Sequence, residues 1–190
     1  MHLTPALLER AYAMGCFPMP DEMGVIRWYQ PDPRAVLPLE SFHASRSLRR
    51  KLRKGVFEVT YDLDFMGVMR GCASRTPTWI TSEFIAGYTA LHLLGKAHSV
   101  EVWRGSELVG GTYGVQLGGA FFAESKFHTA TDASKVALAK LVERLRERSF
   151  ALLEVQFLTA HLAQFGVVEI PHKEYMRRLD AALRQNCRFD

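Results

Sequence analysis

Glu154 and Gln156, two residues apart in the apolar segment ALLEVQF, are the first groups in this chain whose types and spacing could do chemistry. A strand repeats every two residues, so both should point to one face while Leu153, Val155 and Phe157 point to the other. A carboxylate beside a carboxamide can accept, donate and relay a single proton, which is the work of general acid–base catalysis. Glu124, at the end of the apolar stretch GGAFFAE, is placed to join them near the strand end. The three together form the candidate site.

Several elements must position these groups. From Thr131 a helical pattern opens with Asp132 as its expected cap, and Leu138, Leu141, Val142 and Leu145 fall at i, i+3, i+4 and i+7 on one buried face. Before it, HSVEVWR, LVGGTYGVQL and GGAFFAE read as three strands of an antiparallel meander, joined by the turn residues of RGSE and LGG. After it come the strand ALLEVQF, a short helix in LTAHLAQFG stopped by Gly166, a strand in VVEIP and a terminal helix. At the other end, Thr4 as cap, Pro5 at the first helical position and Gly15 beyond the end frame a helix. The prolines at 31, 33 and 38 force extended or turning backbone. A boundary near Asp32 is expected, with residues 1–32 as a small N-terminal domain and 33–190 as the catalytic domain. Asp62 is expected to cap a helix that turns Phe65, Val68, Met69 and Cys72 inward.

At 190 residues and 48% hydrophobic, the chain can bury a full core. Cys16, Cys72 and Cys187 lie far apart, with no spacing for a disulfide framework or a zinc site, so a reduced cytoplasmic setting and no metal are expected. No apolar run reaches the roughly 18 residues of a membrane span, so no membrane partner is expected. The net charge of +4 is modest, and its distribution matters more. In ASRSLRRKLRK, Arg46, Arg50 and Arg53 share one helix face with Lys54 beside them, unrelieved by any acidic residue. Such a run is ordinarily a solvated helix face, but unrelieved like charge on one helix costs stability, and phosphate is a partner that would offset it.

The order strand, strand, strand, helix, strand, helix, strand over residues 98–171 is that of the GNAT acyltransferase core, so the expected class is α/β (α+β), a GNAT-like core with a small N-terminal domain. An acyl-coenzyme A enzyme of that fold holds the pyrophosphate with a glycine-containing loop at a helix N-terminus. The corresponding junction here, SKFHTATDASK, has no glycine and carries Asp132. A donor other than coenzyme A is expected.

The segments WYQPDPRAVLPLESFHASRSLRR, GCASRTPTWIT, HSVEVWRGSELVGGTYGV, AESKFHTATDASKVAL and EVQFLTAHLAQFG together resemble the successive signatures of the leucyl/phenylalanyl-tRNA–protein transferase family, over nearly the whole chain. The resemblance implies an aminoacyltransferase of the N-degron pathway. Such an enzyme moves leucine, phenylalanine or methionine from aminoacyl-tRNA to the α-amino group of proteins beginning with Arg or Lys, marking them for degradation. It implies no cofactor, since the charged tRNA is itself the activated donor, and a monomer is expected. It makes Glu154 and Gln156 a relay that draws the proton from the attacking amine, and Glu124 a holder of the donor's amino group, the acceptor or the terminal ribose. It implies a donor side-chain pocket of Thr112, Phe121, Ala123, Lys126, Leu138, Leu141, Leu145 and Leu153, adenosine binding near Trp79, and tRNA binding by Arg46, Arg50, Arg53 and Lys54. The family's usual Asp is Glu154 here, its GESMF is AESKF, and Met19 stands for a tryptophan. Lys126 thus brings an ammonium to a pocket expected to be apolar. Two other readings compete: a coenzyme A-dependent N-acetyltransferase on the same fold, and a non-enzymatic tRNA-binding module.

Overall fold

The computed structural model describes residues 2–74 and 78–190. Thr4 opens helix α1 (Pro5–Ala13) by accepting the Leu7 N–H at 3.3 Å, as its sequence predicts. A two-stranded hairpin follows, β1 (Phe17–Pro20) against β2 (Ile26–Tyr29). The remaining strands form one mixed sheet: β3 (Arg34–Val36), β4 (Glu58–Tyr61), β5 (Ala97–Arg104), β6 (Glu107–Leu117), β7 (Ala120–His128), β8 (Leu152–Glu154) and β9 (Val168–Ile170). Their spatial order is β4-β5-β6-β7-β8-β3-β9, with β7 and β8 the parallel pair. Helices α2 (Arg46–Lys54), α3 (Phe65–Ala73), α4 (Ser82–Leu93), α5 (Ala133–Glu147), α6 (Ala160–Ala163) and α7 (His172–Leu183) complete the chain. The expected meander and the GNAT-like order of elements are both present. None of these helices is long and apolar enough to cross a membrane.

Apolar layers cover both faces of the sheet. On one, Phe122 and Leu152 pack with Leu8, Tyr12, Phe65, Tyr88 and Tyr175, drawn from α1, α3, α4 and α7. On the other, Phe121 and Leu153 pack with Leu138, Leu141, Val142 and Leu145 of α5 and with Leu48 of α2. The consecutive pairs Phe121/Phe122 and Leu152/Leu153 send one side chain to each layer, as strand alternation requires. The α5 stripe is buried as its spacing predicts; Leu141 and Leu145 are wholly inaccessible, each worth about 1.5–3 kcal/mol of burial.

Strand β3 matters most for the site. It lies between β8 and β9, with Val36 opposite Glu154 and Arg34 opposite Ile170. A segment from near the start of the chain is thereby set beside the candidate carboxylate.

Two capping expectations are corrected. Asp64, adjacent to the first helical residue, caps α3 by accepting the Gly67 N–H at 2.8 Å. Asp62 stands too far back to reach that turn; its carboxylate instead takes the His98 ring at 2.7 Å and the Ser99 N–H at 2.8 Å. Asp132 sits at the N-cap of α5 in a left-handed conformation with φ 71° and makes no capping bond. It pairs with Lys51 and Lys135, because that backbone turns its side chain away from the helix N–H groups.

Candidate active site

Glu124 reaches the site through a β-bulge. Opposite β6, Tyr113 pairs with Ser125 and Gly114 with Ala123, so Glu124 is the extra residue, with no partner across the ladder. A bulge re-aims the side chain it carries. Here it sends the carboxylate into the buried layer beneath α1 and α4, where Glu124 Oε1 accepts the Tyr12 hydroxyl at 2.6 Å and Oε2 accepts that of Tyr88 at 3.3 Å. The two phenols also bond to each other.

Gln156 arrives by a different route from the one alternation predicts. Strand β8 ends at Glu154, and Gln156 takes φ 65°, in the left-handed region that a glutamine seldom occupies. Its backbone N–H donates to Glu154 Oε1 at 2.6 Å, which holds the conformation in place. Its side-chain amide donates to Glu124 Oε2 at 3.0 Å. The three predicted groups do converge, in the order Glu154, Gln156 main chain, Gln156 side chain, Glu124. Strain of this kind held by a specific partner is a mark of functional positions.

Arg34, which sequence reading left without a role, completes the cluster. Its guanidinium is 1% exposed and donates to Glu154 Oε1 at 3.3 Å, to the Tyr175 hydroxyl at 3.4 Å and to the Gly15 carbonyl. It also stacks over the Tyr175 ring at 4.4 Å from the centroid. Glu154 is wholly inaccessible, and among the described residues its Oε2 has no hydrogen-bond partner. A signal was present in the sequence: an arginine just ahead of the apolar triplet Ala35-Val36-Leu37 cannot be buried without a carboxylate.

Burial dominates the protonation of this cluster. It pushes Glu124 up to about 8, against the Tyr12 hydrogen bond and with help from the Glu154 charge. It pushes Glu154 up to about 7, with Arg34 pulling the other way. Burial likewise raises Tyr12 and Tyr88 well above the ordinary phenol range, so both remain donors at neutral pH. Because both carboxyls bind protons more tightly folded than unfolded, their contribution to stability is complete below pH 4.5 and is lost as pH rises through 7 to 8. The melting temperature should therefore fall between pH 5 and 8.5, and less steeply in Glu124→Gln; thermal melts across that range check it.

A cavity of about 90 Å³ opens beside Glu124. Of the residues expected in a donor side-chain pocket, Thr112, Ala123, Lys126 and Leu138 line it, and Ser125, Val155 and Leu162 complete it. Phe121, Leu141, Leu145 and Leu153 lie deeper, wholly within the core, and do not line the cavity. Helical spacing identifies a buried face without distinguishing a cavity wall from the packing behind it. Trp79 is half-buried and meets Phe84 edge-on at 5.2 Å; Phe84 stacks on Tyr88, so an aromatic series links Trp79 to Glu124.

The basic helix forms as expected, with Ser45 capping it at the Leu48 N–H at 3.2 Å. Arg46, Arg50, Arg53 and Lys54 are exposed and make no ion pair among the described residues; Lys51 alone of that run is paired, with Asp132.

Comparison with known proteins follows the same lines. The profile for leucyl/phenylalanyl-tRNA protein transferase matches residues 36–180, and that for the N-terminal domain of the same enzymes matches residues 1–32. A leucyl/phenylalanyl-tRNA–protein transferase of Ruegeria pomeroyi is 54% identical over all of this chain and 91% of its own length. One of Rubrobacter xylanophilus is 54% identical over the full length of both, and one of Gloeobacter violaceus is 54% identical over 98% of this chain and 97% of its own. Among solved structures, a ribosomal-protein-alanine N-acetyltransferase of Brucella melitensis aligns with 57% of this chain and 84% of its own at 15% identity and a TM-score of 0.39. L-PGS from Bacillus licheniformis aligns with 92% of this chain and 61% of its own at 10% identity and 0.45.

Proposed function

The chain belongs to the leucyl/phenylalanyl-tRNA–protein transferase family, and we infer that it moves leucine or phenylalanine from aminoacyl-tRNA to the α-amino group of proteins that begin with Arg or Lys. Methionine is a third donor, and the extended protein is thereby marked for degradation. The enzyme acts as a monomer in the cytoplasm, and residues 1–32 serve as an N-terminal unit that supplies Tyr12 to the site. The observation that carries this reading is a strained glutamine and a protonatable carboxyl meeting beside a side-chain-sized cavity in a chain of this family.

The donor is already an activated ester, so no cofactor is required and the enzyme has mainly to align two reactants and move protons. The amino acid side chain enters the cavity and places the ester carbonyl near Glu124. The neutral α-amine attacks the carbonyl carbon, and the nitrogen must then shed one proton while the ribose oxygen gains one. Gln156 Oε1 accepts the hydrogen of the attacking amine. Glu124, protonated near neutral pH, gives its proton to the departing ribose oxygen and is restored by the proton from nitrogen. Glu154 acts through Gln156 by fixing its backbone, which makes it a positioning residue. Trp79 is set to pack against the terminal adenosine.

Mass spectrometry of peptides beginning with Arg, Lys, Asp or Ala, incubated with a fully charged tRNA mixture, tests the whole scheme. Addition of Leu, Phe or Met to the Arg and Lys peptides alone is expected. A polar residue added, or a modified Asp peptide, would overturn the specificity; no product together with equal affinity for charged and uncharged tRNA would leave only a binding module. Arg46, Arg50, Arg53 and Lys54 face the tRNA in this reading. Arg50→Ala should weaken tRNA binding and reduce the slope of log K against log salt by about 0.9, measured by filter binding at several salt concentrations. An unchanged slope would return α2 to a solvated surface.

A further inference from the structure

A second, larger cleft of about 640 Å³ lies at the junction of β7 and α5, lined by Lys126, His128, Asp132, Ser134, Lys135 and His161 among others. Its chemistry differs from that of the cavity beside Glu124. Two ammonium groups face it, and a third, that of Lys51, reaches the rim through its pair with Asp132. Among the described residues Asp132 is the single carboxylate on the lining, and it is already shared between Lys51 and Lys135 at 18% side-chain exposure. Positive charge therefore outweighs negative. His161 reports the same field: burial first, then Lys126, Lys135 and His128, hold it below its ordinary proton affinity. The Ser134 hydroxyl, 5% exposed, stands at 3.2 Å from His128 Nδ1, and Thr129 and Thr131 add further hydroxyls to the wall.

Lys126 lines both this cleft and the cavity of about 90 Å³. An amino acid seated in the small cavity is esterified to a ribose, and the nearest phosphate of an RNA donor lies on the far side of that ribose. The ester and the phosphate must then fall in neighbouring spaces, one apolar and small, the other cationic and large. We propose that the cleft between β7 and α5 binds phosphates of the 3′-terminal nucleotides of the donor RNA, with Lys126 and Lys135 as their partners and Asp132 as the counter-charge they displace. This rests on the aminoacyl-tRNA reading above and extends it. Lys126, which departs from the apolar residue expected in the donor pocket, then belongs to the nucleotide and leaves donor specificity apolar.

The test is direct binding of the trinucleotide CpCpA, of adenosine and of coenzyme A to the wild-type chain, Lys135→Ala and Asp132→Asn, with thermal melts of each. Asparagine accepts the left-handed backbone at 132 and removes only the charge. Lys135→Ala should weaken CpCpA binding about fivefold and lower its salt slope by about 0.7 while leaving adenosine binding unchanged. Asp132→Asn should tighten CpCpA binding by about threefold, because Lys135 and Lys51 are released from their shared carboxylate and the one negative charge on the lining is gone. CpCpA binding that is the same in all three chains would overturn the proposal, as would a parallel loss for adenosine and CpCpA. Tighter binding of coenzyme A than of CpCpA would overturn it in favour of an acyl-coenzyme A site. The wild-type peptide assay judges the transferase reading independently of these affinities.

Discussion

Gln156→Ala is expected to lower kcat by about 10²- to 10⁴-fold while leaving KM for the aminoacyl-tRNA nearly unchanged. The side chain's N–H holds Glu124 at 3.0 Å, and in the proposed mechanism its carbonyl oxygen receives the hydrogen of the attacking amine. Alanine can do neither. The left-handed backbone at φ 65° costs alanine about as much as glutamine, and the Glu154 contact is to the main chain, so both survive the substitution. Stability should change little, which separates the effect from unfolding. Single-turnover transfer from preformed Phe-tRNA to an Arg-initiated peptide measures it; a rate within threefold of wild type would remove Gln156 from the proton path.

Arg34→Met should have the largest effect on stability. At pH 8.5, above the value of about 7 to which burial pushes Glu154, its carboxylate would be left wholly buried without its cation, a change that costs about 3–5 kcal/mol when one member of a buried pair is removed. For a chain of this size that corresponds to a melting temperature lower by roughly 6–20 °C. The cost arises from the stranded charge more than from the lost contact. Arg34→Met combined with Glu154→Gln should therefore recover most of the loss, and urea melts of the two single variants and the double variant form the cycle that checks it. Additive losses in the double variant would mean that Arg34 acts through its stacking on Tyr175 and Phe17 instead.

Much of this was legible in the sequence because it is local. The Thr4 cap, the α5 stripe, the meander turns and the basic helix each depend on residues within a few positions of one another, and each formed as its pattern predicts. The candidate trio also converges, though partly for reasons the pattern does not contain. Alternation places Glu154 and Gln156 together only if the strand continues, and it ends at Glu154. A bulge supplies Glu124, and no period of two announces an extra residue. Arg34 was missed because PDPR reads as an extended link; only the insertion of β3 between β8 and β9 makes it a neighbour of a residue 120 positions away. The segment DLD holds two acidic residues, and the sequence reading points to Asp62 as the cap where Asp64, adjacent to the first helical residue, makes the capping bond.

The carboxyl pair is gripped by helices far apart in chain order: Glu124 by Tyr12 on α1, and the arginine that answers Glu154 by Tyr175 on α7. The order of synthesis then sets when the enzyme begins to work. A growing chain exposes Tyr12 and Arg34 early, and they wait without their acids until β7 and β8 have been made. The guanidinium lacks the Tyr175 face until α7 has left the ribosome. A partly made chain thus meets charged tRNA, abundant at its own birthplace, without a finished centre with which to spend it.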